Sequence, residues 1–476
     1  MTKMPPKPAT LMAAITALLL TGCTSVDFDQ AVSDTNQTAG AYTGGKLALS
    51  RSAEQNAARS KLSAELLSKP LSSDDAVQLA LANSPAVQTL LAQSWADMLQ
   101  ADQAGRMTNP IFKFERVTFK DELELGRILS FGLLDLLTLP RRQVIAQSRM
   151  AQSQVQLSAS VVDQVTQVRQ AWVRAVAASQ TLQYAEQINT AAEASAELAR
   201  RMQQVGNFNK LQRARQQVFY ADSVAQLASA QHAALAAREE LVRQLGLTDA
   251  QAMQLKLPER LPDLPKEARA PALVSSTATD QRLDVQLARG QLDAAGKSQG
   301  LNLLTSLLDV ELGIIRSTTF DNGGGVGRAF AKRGYEIGIR LPVFDWGTTQ
   351  RDAMNAQSLA AANRYESTVR SATSQLRESY SAYRTAYGVA RHYRDEVVPL
   401  RKTMAEENVL RYNGMLIGVF ELLADTRDQI SSVVTAINAY QQFWLADAAL
   451  SASMTGKPTS MMMAAPVAAG SAAKPH

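Results

Sequence analysis

The 476-residue chain holds a single cysteine, Cys23, so no internal disulfide can form. Its three histidines, His232, His392 and His476, are scattered, and it has neither a glycine-rich phosphate loop nor a nucleophile elbow. No catalytic constellation assembles from such a set. Charged residues make up only 20% and aromatics 6%, with acidic and basic groups interspersed. The net charge of +5, or +3 without Lys3 and Lys7, is no nucleic-acid footprint. The N-terminal apolar stretch, Leu11 to Leu20, is well short of the roughly 18 residues that a membrane-spanning helix needs. Proline is absent between Arg141 and Leu257, where the only glycines are Gly206 and Gly246. Such a stretch favours helix.

What is present begins with a positive lead, Lys3 and Lys7, before that short apolar run, the pattern of a secretory signal over residues 1–22. Leu20, Thr21, Gly22 and Cys23 then resemble the bacterial lipobox, which implies cleavage before Cys23 and acylation there. No other cofactor and no metal ligand is expected. Residues 23–70 are polar and read as a lipid-anchored, loosely attached arm. The tail, 456–476, is low in complexity and reads as disordered, with Met461 to Met463 incidental rather than a soft-metal site.

With 46% hydrophobic residues the remainder can build a large core. Val161, Val165, Val168, Trp172 and Val176 recur at steps of three and four, one stripe on a helix that runs from Pro140 to about Val205. Gly206 interrupts it, and a second helix runs to a glycine cap at Gly246. The layout returns with Val369, Ala372, Leu376, Tyr380, Tyr383 and Tyr387, an interruption at Gly414, and a last helix to about Gly456; Pro399 predicts a kink. "LLDLLTLPRRQVIAQS" overlies "VFDWGTTQRDAMNAQS" at an offset of 210, pairing Asp135 with Asp345 and Arg141 with Arg351, and Gly206 and Gly414 fall at 208. Two repeats follow, 71–256 and 282–455, each a helix, a strand pair and a long helical hairpin, joined by a proline-rich linker at 257–281.

Period-two alternation marks the strands: "IFKFERVTF" and "LELGRILSFGLL" joined by "KDE", then "LLDVELGIIRS" and "GYEIGIRLPVF" with a glycine-rich loop, 318–333, between them. Each has the length of a tilted membrane strand. Arg127 falls on the apolar face with Leu123, Leu125, Leu129 and Phe131, where mid-membrane exposure costs about 2–4 kcal/mol; a bulge at Gly126 would turn it inward. In lipid an open sheet edge is prohibitive, and four strands cannot close a barrel whose smallest form uses about eight. Several copies must therefore share one barrel.

Residues 71–455 resemble the outer membrane efflux protein family, the TolC-like outer membrane factors, at "LSSDDAVQLALANSPAVQ", "LPVFDWGTTQRD" and "RYNGMLIGVFELLADTRD". Asn83 and Pro85 correspond to the family's asparagine–proline pair, here interrupted by Ser84. The resemblance implies a mainly α protein with membrane β: a homotrimer of two-repeat chains, with a twelve-stranded outer-membrane barrel continuous with a long α-helical barrel through the periplasm. It also implies no catalysis, an adaptor and an inner-membrane pump as partners, and outer-membrane lipid around the strands. Glu421 takes the family's acidic gate position, while Ala424 replaces the next acid and Asp425 follows it. Glu421 and Asp425, four apart, share a helix face and repel, so three copies would crowd six carboxylates about an axis. Gly206 and Gly414, with Lys210, Arg213, Arg215 and Arg411, form the tips read as adaptor-docking turns. The competing reading is a non-channel periplasmic scaffold or adaptor lipoprotein held by Cys23.

Overall fold

The computed structural model describes residues 27–456 apart from 121, 271–280, 308–309, 322–327, 342 and 345. The signal, Leu20, Thr21, Gly22, Cys23, Asp345 and Met461 to Met463 lie outside the described residues. Helices α1 (Phe28–Thr43), α2 (Ala53–Leu67), α3 (Ser73–Asn83) and α4 (Pro85–Ala104) precede β1 (Ile111–Phe119) and β2 (Glu122–Gly132). A long hairpin, α5 (Leu133–Gln204) and α6 (Lys210–Leu245), and the short α7 (Asp249–Gln254) follow. The order then recurs with α8 (Leu283–Leu307), β3 (Val310–Asp321), β4 (Arg328–Ile339), α9 (Thr348–His392), a π-helical turn (Tyr393–Val397), α10 (Val398–Asn413) and α11 (Val419–Thr455). No described helix is long and apolar enough to cross a membrane.

At 72 residues α5 is about 108 Å long, the mast on which the rest is packed. Its valine and tryptophan stripe is buried as the spacing predicts, with Val168 and Val176 wholly inaccessible. The helix starts at Leu133, seven residues before the expected Pro140, because β2 stops at Gly132 and the leucines after it favour helix. Pro140 therefore lies inside, where its ring forfeits one backbone hydrogen bond. Near Pro399, which cannot donate to the preceding turn, the chain widens into the π-helical turn before α10 resumes.

The arm expected at 23–70 is not loose over its described part. Phe28, Val32, Tyr42, Leu66 and Leu67 are buried in the main core. The Tyr42 hydroxyl meets Thr166 Oγ1 at 2.5 Å, and Gln154 donates to Asp34, so α1 is fastened to α5. Each of these helices looks polar by itself because only a narrow seam reaches the core, a seam that sequence periodicity did not expose.

The interrupted Asn-Ser-Pro sequence forms a knot with the root of the first hairpin. Asn83 Nδ2 donates to the carbonyl of Gly246 at 2.9 Å, and Pro85 starts α4 where its missing N–H is harmless. Gly246 caps α6 at φ 64°, and a Cβ there would stand 2.5 Å from Pro85 Cδ. Gly456 does the same for α11 at φ 101°, pressed against Leu283 N and the buried Arg282. Arg282 is satisfied by Asp284 and by the Ala372 carbonyl.

The proline-rich linker is strapped down over its described part. Tyr380 donates to the Arg269 carbonyl, Tyr387 to those of Pro265 and Lys266, and Trp444 to that of Pro262, while the Arg269 N–H donates to Tyr383. Arg269 also pairs with Asp447 at 2.9 Å. Burial pushes the Asp447 carboxyl above its usual range, against the opposing pull of Arg269 and Arg169.

Candidate channel wall and helical tips

The four strands form one antiparallel sheet in the order β1-β2-β3-β4, so β2 and β3 join the two halves of the chain. Among the described residues β1 and β4 each have a strand on one side only, which leaves both outer edges open. The second strand pair is longer than expected: β3 runs on to Asp321 and β4 begins at Arg328 but ends at Ile339, so most of the anticipated 318–333 loop is ladder. Small residues such as Ala329 and Ala331 hide the alternation there; pairing with β3 imposes the strand.

All three ladders are continuous, which fixes the two faces. One face carries Phe112, Leu129, Ile314 and Tyr335 in a row, with Phe131, Leu312 and Ile337 in the next. The other carries Glu115, Gly126, Ser317 and Lys332 in one row and, beyond a row of Lys113, Ile128, Ile315 and Gly334, Ser130, Gly313 and Glu336 in another. Ser130 and Ser317 are 7% and 6% exposed, whereas Tyr335 and Ile337 on the apolar face stand 79% and 55% exposed. Lys332 Nζ reaches Glu124 Oε1 at 3.7 Å although β3 lies between their strands. On the central strands the polar, glycine-bearing face is thus the sheltered one and the apolar face the open one. Beyond β4 the exposed Leu341, Val343, Phe344 and Trp346 extend the apolar surface.

The expected bulge at Gly126 is absent: Glu115 pairs with Gly126 and Phe114 with Arg127 in unbroken register. Arg127 therefore stays on the apolar, open face.

The first tip turn closes α5 with a hydrogen bond from Asn207 N to the Met202 carbonyl and one from Gly206 N to that of Gln203. Gly206 has φ 83°, the left-handed position of this motif. Asn209 and Gln212 then cap α6 reciprocally. Arg213 donates to Gln203 Oε1 across the turn, while Lys210 and Arg215 are exposed. In the second tip the same two bonds run from Leu416 to Arg411 and from Met415 to Tyr412. The left-handed residue is Met415 at φ 57°, with Gly414 one position earlier at φ −80°. The structural offset between tips is thus 209, not 208, and Gly418, without a side chain, stands where Asn209 caps the first. Exposed apolar groups, Val205, Leu211, Leu410, Met415 and Leu416, crowd both turns beside the exposed Arg411.

Glu421 and Asp425 lie on successive turns of α11 directly after this second tip. Glu421 is exposed; Asp425 is half-buried, and its Oδ2 is shielded with no hydrogen-bond partner. Sequence reasoning missed Met415 and Gly418, for which no periodic signal exists. It also missed Arg316 and Arg333, although Arg316 continues the phase of Leu312 and Ile314, and Arg333 that of Tyr335 and Ile337.

Residues 274–405 match the family model of the outer membrane efflux protein. No curated protein matches the sequence. Among solved structures, a membrane protein from Pseudomonas aeruginosa is similar at 18% identity with a TM-score of 0.66, covering 80% of this chain and 93% of that one. The Campylobacter jejuni CmeC outer membrane channel is similar at 15% identity and a TM-score of 0.65, covering 85% and 86%. The open state of the Neisseria gonorrhoeae MtrE outer membrane channel aligns at 18% identity and a TM-score of 0.62, covering 80% and 88%. At residues 274–405 the chain carries the outer membrane efflux protein signature, and along most of its length it has the fold of the TolC-like outer-membrane channels.

Proposed function

We propose that this chain is the outer-membrane channel subunit of a tripartite efflux or secretion system, passing substrates delivered by an adaptor and inner-membrane pump. The observation that carries the reading is the four-stranded sheet with an open apolar face and a sheltered polar one, and with no further strand beyond β1 or β4 among the described residues. Open edges cannot face lipid, so β4 of one copy meets β1 of the next. Three copies give twelve strands, a number within the range of membrane barrels. Twelve strands bring three long hairpin pairs side by side as a tube. The recurring order of elements supports an internal duplication of the chain. Cys23 carries the lipid anchor, which leaves the protein in the outer membrane of a Gram-negative bacterium with its helices in the periplasm.

In this assembly Glu421 and Asp425 line the constriction, and the turns at Gly206 and Met415 dock the adaptor. A half-buried carboxylate without a partner favours cations nearby. Purified full-length protein in detergent is expected to run as a heat-modifiable trimer and to conduct ions across planar bilayers. A single subunit with no conductance would sink the proposal. Single-channel records of Glu421→Ala and Asp425→Ala should show weaker cation selectivity, and unchanged selectivity in both removes the carboxylate ring. Charge reversal at Arg213 or Arg411 should weaken crosslinking to a co-purified adaptor.

A further inference from the structure

The apolar face carries a feature that channel formation alone does not require. Three arginines stand directly opposite one another across adjacent strands: Arg127 on β2, Arg316 on β3 and Arg333 on β4. Arg116 on β1 lies on the same face one row further, opposite Leu125. All four are exposed, and among the described residues none has a carboxylate partner or a hydrogen-bonded acceptor. Like charges paired directly across a ladder destabilise it. On the polar face, by contrast, Lys332 is matched by Glu124.

The rows on the two sides of the belt differ. Below it lie Phe112, Leu129, Ile314 and Tyr335, all apolar or aromatic, whereas above it Leu125, Leu123 and Phe320 alternate with Arg116, Thr318 and Thr118. From Ile339 to Arg333 the strand climbs about 16 Å when tilted by ~40°. Leu341, Val343, Phe344 and Trp346 are exposed beyond the end of β4. With the sheet in the membrane as proposed above, and an apolar band about 25 Å tall that begins at these residues, the arginine row stands at the upper rim, where headgroups begin, and the mid-membrane penalty on Arg127 does not arise.

From this juxtaposition we infer that Arg116, Arg127, Arg316 and Arg333 form a binding belt for the phosphate of a phosphorylated lipid, whose acyl chains lie on the apolar rows beneath. Guanidinium suits this ligand because its planar fork donates two parallel hydrogen bonds to phosphate oxygens. Clustered arginines, otherwise mutually repelling, gain a shared counter-ion. The apolar rows select an amphiphile over free phosphate. The inference rests on the membrane placement of the sheet proposed above.

The test uses the full-length protein in detergent, with lipid A, its dephosphorylated form and inorganic phosphate as probes, and retention read by native mass spectrometry. The wild type should retain lipid A about tenfold better than the dephosphorylated lipid, and millimolar inorganic phosphate should not displace it. The triple variant Arg127→Gln, Arg316→Gln, Arg333→Gln should lose that preference, and the corresponding lysine variant should keep part of it. Equal retention by the glutamine variant, or displacement by inorganic phosphate, overturns the belt. Trimer mobility on the same samples separates the two readings: a wild type that forms no trimer refutes the channel proposal and this inference together, whereas a trimer without phosphate preference refutes the belt alone.

Discussion

In the turn after α5 a glycine takes the left-handed position and an asparagine caps the next helix; in the turn after α10 a methionine and a glycine take those places. The backbone hydrogen bonds are the same in both. The chemistry is reversed: the first turn puts each residue type where it costs least, and the second puts a side chain into a conformation that disfavours it and leaves the helix start without a side-chain acceptor. The second turn is also the one followed by Glu421 and the unpartnered Asp425 Oδ2. The difference teaches that one hairpin is finished at its tip and the other is held there by its neighbours. At their roots the two are alike, each closed by a left-handed glycine wedged against the start of a preceding helix.

The largest effects test the likeness of the roots. Gly246→Ala and Gly456→Ala both combine a left-handed backbone with a collision that no side-chain rotation relieves, and each should lose about 3 kcal/mol. Thermal unfolding of the detergent-solubilised trimer checks this, and a benign outcome at one root would break the symmetry. The tips come next. Gly206→Ala should loosen the first tip by about 1 kcal/mol, and Met415→Gly should tighten the second by a similar amount, read as roughly fivefold changes in amide-exchange protection. If Met415→Gly leaves exchange unchanged, the second tip is not strained. Asn209→Ala should cost about 1 kcal/mol at the first tip, whereas Gly418→Asn should gain only a few tenths at the second.

A smaller effect separates the hairpins by pH, because only the second carries the buried acid of the linker strap. Burial raises the folded pKa of Asp447, so its contribution to stability is present below the unfolded value of about 3.9 and is lost as pH rises through the folded value. Linker protection in the wild type should therefore fall as pH climbs above about 4, and Asp447→Asn should flatten that slope. Proteolysis of the linker across this range gives the reading.

Much of the fold was legible because the strong signals are local. A hundred residues without proline had to be helical, and period-two alternation placed β1 to the residue. Valines at helical spacing named the face of α5 that is buried. Helix starts were less legible: Leu133 and Leu134 suit a strand or a helix, and only the end of the β2–β3 ladder at Gly132 decides between them. At the second tip Gly414 is an obvious turn residue, yet the left-handed conformation falls one position later, since the exit of α10 and the entry of α11 fix the count. The seam of α1 and α2 escaped notice because a few buried side chains on polar helices leave little periodicity.

The sequence by itself determined the long helices, the strand segments next to them, the hairpin turns to within a residue, and that the strands have one apolar and one polar face; the outer half of the β3–β4 pair it did not determine. Those properties depend on side chains a few residues apart, within reach of one another on any chain with this order. The tertiary structure alone decided that Arg127, Arg316 and Arg333 share a row, that the linker is bound by tyrosines more than a hundred residues away, and which face of the central strands is sheltered. Register and shelter arise when distant segments pair, and nothing in one strand specifies the count of residues on another.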